Sequence, residues 1–221
     1  MQRRVTAELL DDDLGTPAEL AGSLHDLSHI NDWFGGTRTT TRLLRGVAGN
    51  SGATDLSLLE IGAGLGHVPL AAQRRLARNG LTLRVTLLDR RWTHLARNSV
   101  PAVSGDAMRL PFRDGAFDLV SCSLFAHHFS PESLPHMCKE ALRVARRAVV
   151  INDLIRSRLH LFLAQLTLPM FRNHITRHDG IASVRAAYTV AEMKSLLRQV
   201  PVRNAEFSRH FLFRMGVVLW K

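Results

Sequence analysis

The chain has 221 residues, of which 46% are hydrophobic and 22% charged. That is enough for one domain with a sizeable core and too apolar for a disordered chain. Its two cysteines are too few for a disulfide scaffold. No apolar run reaches the roughly 18 residues of a membrane span, and the first residues lack the apolar core of a secretion signal, so a cytoplasmic protein is expected. The formal net charge is +10, and residues 154–221 carry most of it, with 11 basic against 3 acidic side chains. Such a patch attracts nucleic acid, an anionic membrane or an acidic substrate; an Arg-rich composition, with 26 of the 29 basic residues Arg, accounts for it equally well.

Thr16-Pro17-Ala18-Glu19 is a capping box with Pro at the first helical position. Leu20, Leu24, Leu27 and Ile30 follow at helical spacing up to Gly35-Gly36. A second helix is expected over 39–47 and a loop over 49–52. From residue 55 short apolar strands alternate with helices. Strands are expected at 56–61, 81–88, 102–103, 116–123 and 148–152, with helices at 67–78, 92–98 and from Ser130 to Val144. This rhythm predicts an α/β fold with a Rossmann-like, doubly wound sheet. The last third reads as an apolar, basic helix over 156–171, broken by Pro169, then a polar loop at 176–180. Thr189-Val190-Ala191-Glu192 opens a helix that Pro201 ends, and strands at 202–208 and 211–219 close the sheet, giving a mostly parallel, seven-stranded whole. The division expected is a single domain with an N-terminal helical extension over 1–52, a core over 53–153, and a helical insert with closing strands over 154–221.

The chemistry is concentrated at Glu60-Ile61-Gly62-Ala63-Gly64-Leu65-Gly66, where an apolar strand runs into a glycine turn that opens a helix. Glycines let a ligand approach the backbone, and the helix start offers free N–H groups. The spacing G-x-G-x-G departs from the G-x-G-x-x-G of dinucleotide sites. Glu60 beside the first glycine disfavours a phosphate and suits a cationic or amino-bearing ligand. Asp89 ends the second strand, where an acid can hold ribose hydroxyls or merely cap the next helix. Asp106 follows the third strand and could accept from an adenine amino group.

The order E-x-G-x-G-x-G, Asp89, Gly105-Asp106-Ala107, then Leu110-Pro111-Phe112-Arg113-Asp114-Gly115-Ala116-Phe117-Asp118-Leu119-Val120 resembles the class I S-adenosylmethionine (SAM) methyltransferases over about residues 56–151. The resemblance implies SAM as cofactor and S-adenosylhomocysteine (SAH) as product. Gly62, Gly64 and Gly66 would lie under the methionine part, with Glu60 acting there, Asp89 on the ribose and Asp106 on the adenine. Ala107 and Met108 would flank the adenine ring, and Arg90 and Ser123 belong to the same set. The segment Ser123-Leu124-Phe125-Ala126-His127-His128-Phe129, with Glu8-Leu9-Leu10-Asp11-Asp12, Ile30–Gly36, Val150–Leu154 and Thr176–Gly180, is similar to small-molecule methyltransferases of quinone pathways and those beside type III polyketide synthases.

That finer likeness implies O-methylation of a phenolic, polyketide or hydroquinone acceptor, or C-methylation of a quinol ring. His127 or His128 is the expected base, with Asp153 orienting it or acting itself. Trp33, Arg177 and His178 are expected to reach the acceptor, and the insert over 159–171 either covers the pocket, rests on a membrane or forms ordinary core. The partner expected is an aromatic or lipophilic small molecule, with peripheral membrane contact open. An RNA-binding methyltransferase and a non-catalytic SAM-binding protein are the remaining readings. The segment after the fourth strand lacks the Asn/Asp-Pro-Pro-Tyr pattern of base-methylating enzymes, and no metal site is expected from the strand-end carboxylates.

Overall fold

The computed structural model describes residues 1–95, 99–167 and 170–221. The end of the expected helix at 92–98 and the expected break at Pro169 fall outside these residues. Helix α1 (Pro17–Trp33) starts at the expected capping box, with Thr16 and Glu19 exchanging bonds. Helix α2 (Gly36–Ser51) starts earlier than expected, because Gly35 takes φ 80° and turns the chain directly from one helix into the next. The sheet follows with β1 (Asp55–Ile61), β2 (Thr82–Asp89), β3 (Ala102–Ser104), β4 (Phe117–Ser123) and β5 (Ala145–Leu154). Helices α3 (His67–Ala77), α4 (Trp92–Leu95) and α5 (Ser133–Val144) connect them.

The strand order is β3-β2-β1-β4-β5-β7-β6, with β6 (Asn204–His210) and β7 (Arg214–Trp220) as a closing hairpin. The first five strands run parallel and β7 lies antiparallel to β5. This is the doubly wound, mostly parallel, seven-stranded sheet expected from the sequence. Leu59 and Ile61 face one core with α5 and α8 (Val190–Leu197), while Leu56 and Leu58 face the other with α2 and α3. Two faces buried by helices explain the near-continuous apolar runs of these strands. Strand order reverses between β1 and β4, and at such a point the carboxyl ends of the strands leave a crevice.

Three expectations of the last third change. Residues 176–180 are not a loop but the middle of α7 (His174–Ala186), capped by Asn173, whose side chain accepts from the Ile175 N–H at 2.9 Å. Burial of Ile175, Thr176, Asp179 and Ala182 on one face outweighs the polar composition. The closing strand begins at Arg214 rather than residue 211, since Leu212 and Phe213 form the hairpin turn with φ 53° and 59°. Helix α6 (Arg158–Thr167) contributes no buried residue and so is not a core helix. No helix among the described residues is long and apolar enough to cross a membrane.

Candidate active site

A cavity of about 750 Å³ opens at the carboxyl ends of the parallel strands. One wall is the glycine turn with the ends of β1, β2 and β3. The turn needs glycine for two reasons. Gly62, Gly64 and Gly66 all have positive φ, and a Cβ on Gly62 would stand 2.5 Å from the Phe125 ring, one on Gly66 2.6 Å from Leu87. Asp89 is drawn into this turn, accepting from the Gly64 N–H at 2.8 Å and the Arg91 N–H at 3.0 Å. Asp106 accepts from the Met108 N–H at 2.8 Å, which fixes Ala107 and Met108 against the cavity. Glu60 is 1% exposed and hydrogen-bonded by the Ser121 hydroxyl. Its burial pushes the carboxyl up to about 7, against the lowering effect of the bonds from Ser121 and Ser123.

The opposite wall is assembled from four parts of the chain. The residues after β4 form a short 3-10 turn, Ala126–His128. His127 is 2% exposed, and its Nδ1 lies 2.7 Å from Asp153 Oδ1 while Asp153 Oδ2 accepts from the His127 N–H at 2.8 Å. Burial works against a charged His127, but the carboxylates of Asp153 and Glu8 prevail and push it up to about 10. Asp153 is held low in turn by His127, against its own burial. His128 Nδ1 lies 2.8 Å from Asp11 Oδ2. The Nε2 atoms of both rings face Glu8, at 3.5 Å from Oε1 for His127 and 3.8 Å from Oε2 for His128.

Glu8 and Asp11 arrive on a non-helical N-terminal strap. Arg3 bonds the carbonyls of Ala186, His127 and Phe129 at 2.6, 2.8 and 3.0 Å. The Leu9 and Leu10 N–H groups donate to the Asp179 carboxylate at 2.8 and 3.0 Å. Further along, Arg91 Nε donates to the Asp11 carbonyl at 2.9 Å and His94 Nε2 lies 3.0 Å from Asp13. Residues 8–13 therefore tie the two walls together across the top of the crevice.

Arg214 completes the second wall. It is 1% exposed, donates to the Phe34 carbonyl at 3.2 Å, and leaves Nη1 without a hydrogen-bond partner among the described residues. Burial lowers it to about 10, partly offset by Asp153. Above it, His160 stacks on Phe213 at 4.8 Å, and Leu163, Ala164 and Thr167 of α6 close the cavity as a cover. The outer face of α6 leaves Leu159, Phe162 and Leu166 about 60% exposed.

Glu60, Gly62, Gly64, Asp89, Arg90, Asp106, Ala107, Met108 and Ser123 all line this cavity, as do His127 and His128. Gly66 lies behind the turn as the N-cap of α3, and Asp153 behind His127. Trp33 is 56% exposed at the end of α1, and Arg177 and His178 lie on the exposed face of α7; none of the three lines the cavity. Glu8, Asp11 and Arg214 were not anticipated. The acid-rich run 8–13 was a signal for the first two; a lone Arg at a strand start gave none. Cys122 and Cys138 are buried thiols whose burial raises them well out of the reactive range, Cys138 to about 12.

Residues 59–151, somewhat under half of the chain, match the family model described as methyltransferase domain. Among solved structures, the plantazolicin methyltransferase BpumL, in complex with a monoazolic desmethylPZN analog and SAH, is similar at 11% identity and TM-score 0.70, covering 96% of this chain and 93% of that one. Human N-acetylserotonin methyltransferase in complex with SAM is similar at 12% identity and TM-score 0.63 over 90% of this chain, which spans 54% of that chain. A SAM-dependent methyltransferase from Aquifex aeolicus is similar at 15% identity and TM-score 0.53, covering 75% of this chain and 81% of that one. At these identities the likeness is one of fold. No curated protein matches the sequence.

Proposed function

We propose that this protein is a SAM-dependent methyltransferase acting on a small molecule, with O-methylation of a phenolic or hydroquinone acceptor as the reaction. The observation that carries this reading is the single cavity whose one wall holds Glu60, Asp89 and Asp106 around a glycine turn and whose other wall holds His127, His128 and Arg214. The first set suits a ligand bearing an ammonium group, ribose hydroxyls and an adenine amino group. Glu60 would face the ammonium, Asp89 the ribose and Asp106 the adenine, between Ala107 and Met108. Bound there, SAM supplies a methyl group on a sulfonium leaving group.

The chain's own task is then to place and activate the acceptor oxygen. A phenol has a pKa near 10, so it reacts better once its proton is removed. His128, oriented through Nδ1 by Asp11, is the base in this reading. His127, held cationic between Asp153 and Glu8, and Nη1 of Arg214, unpartnered among the described residues, supply positive charge to the resulting phenolate. Asp153 orients His127. Cover helix α6 excludes water and offers apolar contact to the ring. Its exposed outer stripe, with Arg158 beside it, favours a peripheral membrane contact through which a lipophilic acceptor is delivered. C-methylation of a quinol ring uses the same base and is separated by product analysis.

The test is calorimetric binding of SAM and SAH to the wild type and to Asp89→Ala and Glu60→Ala. Micromolar binding, weakened on the order of 10–100-fold in each variant, is expected. No binding by the wild type, or unchanged affinity in both variants, overturns the reading.

A further inference from the structure

The Glu8–His127–His128 cluster has the construction of a metal site. One ligand atom from each residue lies within 4.8 Å of the others, and the two carboxylate oxygens of Glu8 face one ring each, Oε1 at 3.5 Å from His127 Nε2 and Oε2 at 3.8 Å from His128 Nε2. Two nitrogen or oxygen ligands about 2.0–2.1 Å from a tetrahedral ion stand about 3.3 Å apart, so the three side chains would draw together around a bound ion by roughly an ångström or less. The outer shell is already built. Each imidazole gives its Nδ1 side to a carboxylate, His127 to Asp153 at 2.7 Å and His128 to Asp11 at 2.8 Å. That pairing fixes the tautomer that leaves Nε2 free to ligate, and it is the usual second shell of a metal-bound histidine. Asp153 is itself fixed by the His127 and Leu154 N–H groups at 2.8 and 2.7 Å.

An independent observation points the same way. His127 Nε2 is fully buried, faces Glu8 and has no hydrogen-bond partner among the described residues. A buried polar nitrogen left without a hydrogen bond is costly, and a ligated ion removes that deficit.

We propose that Glu8, His127 and His128 bind one divalent transition-metal ion of the zinc type, with its remaining coordination position open to the cavity. Two imidazoles and one carboxylate select zinc, cobalt, nickel or iron over magnesium or calcium. The strap that carries Glu8 completes the site, so metal loading also fixes the strap over the cavity. The site goes beyond the methyl-transfer reading. With the ion in place, His127 and His128 are neutral ligands rather than the cation and the base of the metal-free reading, and the acceptor oxygen is held and acidified by the open position.

Chelator-stripped protein titrated with Co2+, followed by visible absorption, tests this, with Zn2+ and Mg2+ as competitors. One equivalent binding at micromolar concentration or tighter is expected, with four- or five-coordinate cobalt bands that Zn2+ displaces and Mg2+ does not. Glu8→Gln and His128→Asn should each weaken binding on the order of tenfold or more. SAH calorimetry and a melting curve establish that each variant is folded; if Glu8→Gln is not, His128→Asn carries the test. Absence of Co2+ binding below about 100 µM, or unchanged affinity in the folded variants, overturns the metal site. SAH binding without metal binding leaves the methyl-transfer reading intact and sinks only the metal; metal binding without SAM or SAH binding does the reverse.

Discussion

On the β1–β2–β3 side of the cavity two carboxylates are held by backbone N–H groups of the nearby turns, Asp89 by Gly64 and Arg91, and Asp106 by Met108. On the β4–β5–β7 side they are imidazoles and a guanidinium held by side chains from distant segments, as His128 is by Asp11 and His127 by Glu8 and Asp153. The first wall offers acceptors for a hydroxyl- and amine-bearing ligand. The second offers positive charge and a base. The contrast teaches that, in the proposed reaction, a rigid local turn would serve for binding, whereas activating a second molecule would draw on opposed charges brought together from across the chain.

If the second wall alone does chemistry, His128→Gln should lower turnover on the order of 10²–10⁴-fold while SAH affinity, measured by calorimetry, stays within about twofold of the wild type. Equal losses in both would erase the distinction between the walls. Asp153→Asn should cost about 3 kcal/mol or more of stability by breaking a buried ion pair, read from the midpoint of denaturant unfolding. His127 is raised from 6.5 to about 10, so the stability it contributes is complete below about pH 6.5 and is lost as pH rises toward 10. The variant should lack that alkaline decline; a decline as steep as that of the wild type would remove His127 from its cationic role.

The first wall has the opposite pH signature. Glu60 is raised from 4.5 to about 7, so the folded state holds a proton that the unfolded chain has released. Stability should therefore fall as pH rises from about 4.5 to 7, by on the order of 3 kcal/mol at most, and Glu60→Gln should flatten that slope. SAM affinity should rise through the same window as the carboxylate ionises against the ammonium. Affinity independent of pH would place the ammonium elsewhere. The smallest expected effect lies outside both walls: Phe162→Glu with Leu166→Glu should abolish sedimentation with anionic vesicles and leave SAH binding unchanged. Equal sedimentation of wild type and variant would show that the stripe on α6 does not meet a membrane.

The first wall was legible in the sequence because its parts are close neighbours. Residues 60–66 state the turn, and an acid at the end of each of the next two strands is a pattern of spacing. Both capping boxes were legible for the same reason, each being four residues long. His127, His128 and Asp153 were found as strand-end residues, but their pairing needed the β4–β5 register. Glu8 and Asp11 were not found as site residues, since the contacts that seat them are to residues more than a hundred positions away. Residues 176–180 read as a loop because composition does not reveal a helix whose polar Thr176 and Asp179 are buried against α1 and the strap. The closing pair of strands is legible, but its turn lies at Leu212–Phe213 rather than 209–210, because neither residue favours a positive φ.

The strap has a consequence for how the protein is made. Glu8 leaves the ribosome long before the groups that anchor its segment, Asp179, Ser183 and the carbonyl of Ala186, which emerge after the five parallel strands. The strap can therefore be seated only once helix α7 is made, and Arg214 joins the second wall later still. A nascent chain paused before residue 179 already has the glycine turn and all five parallel strands, but not the seat for Glu8. The residues of the first wall are thus all synthesised well before the last residues of the second.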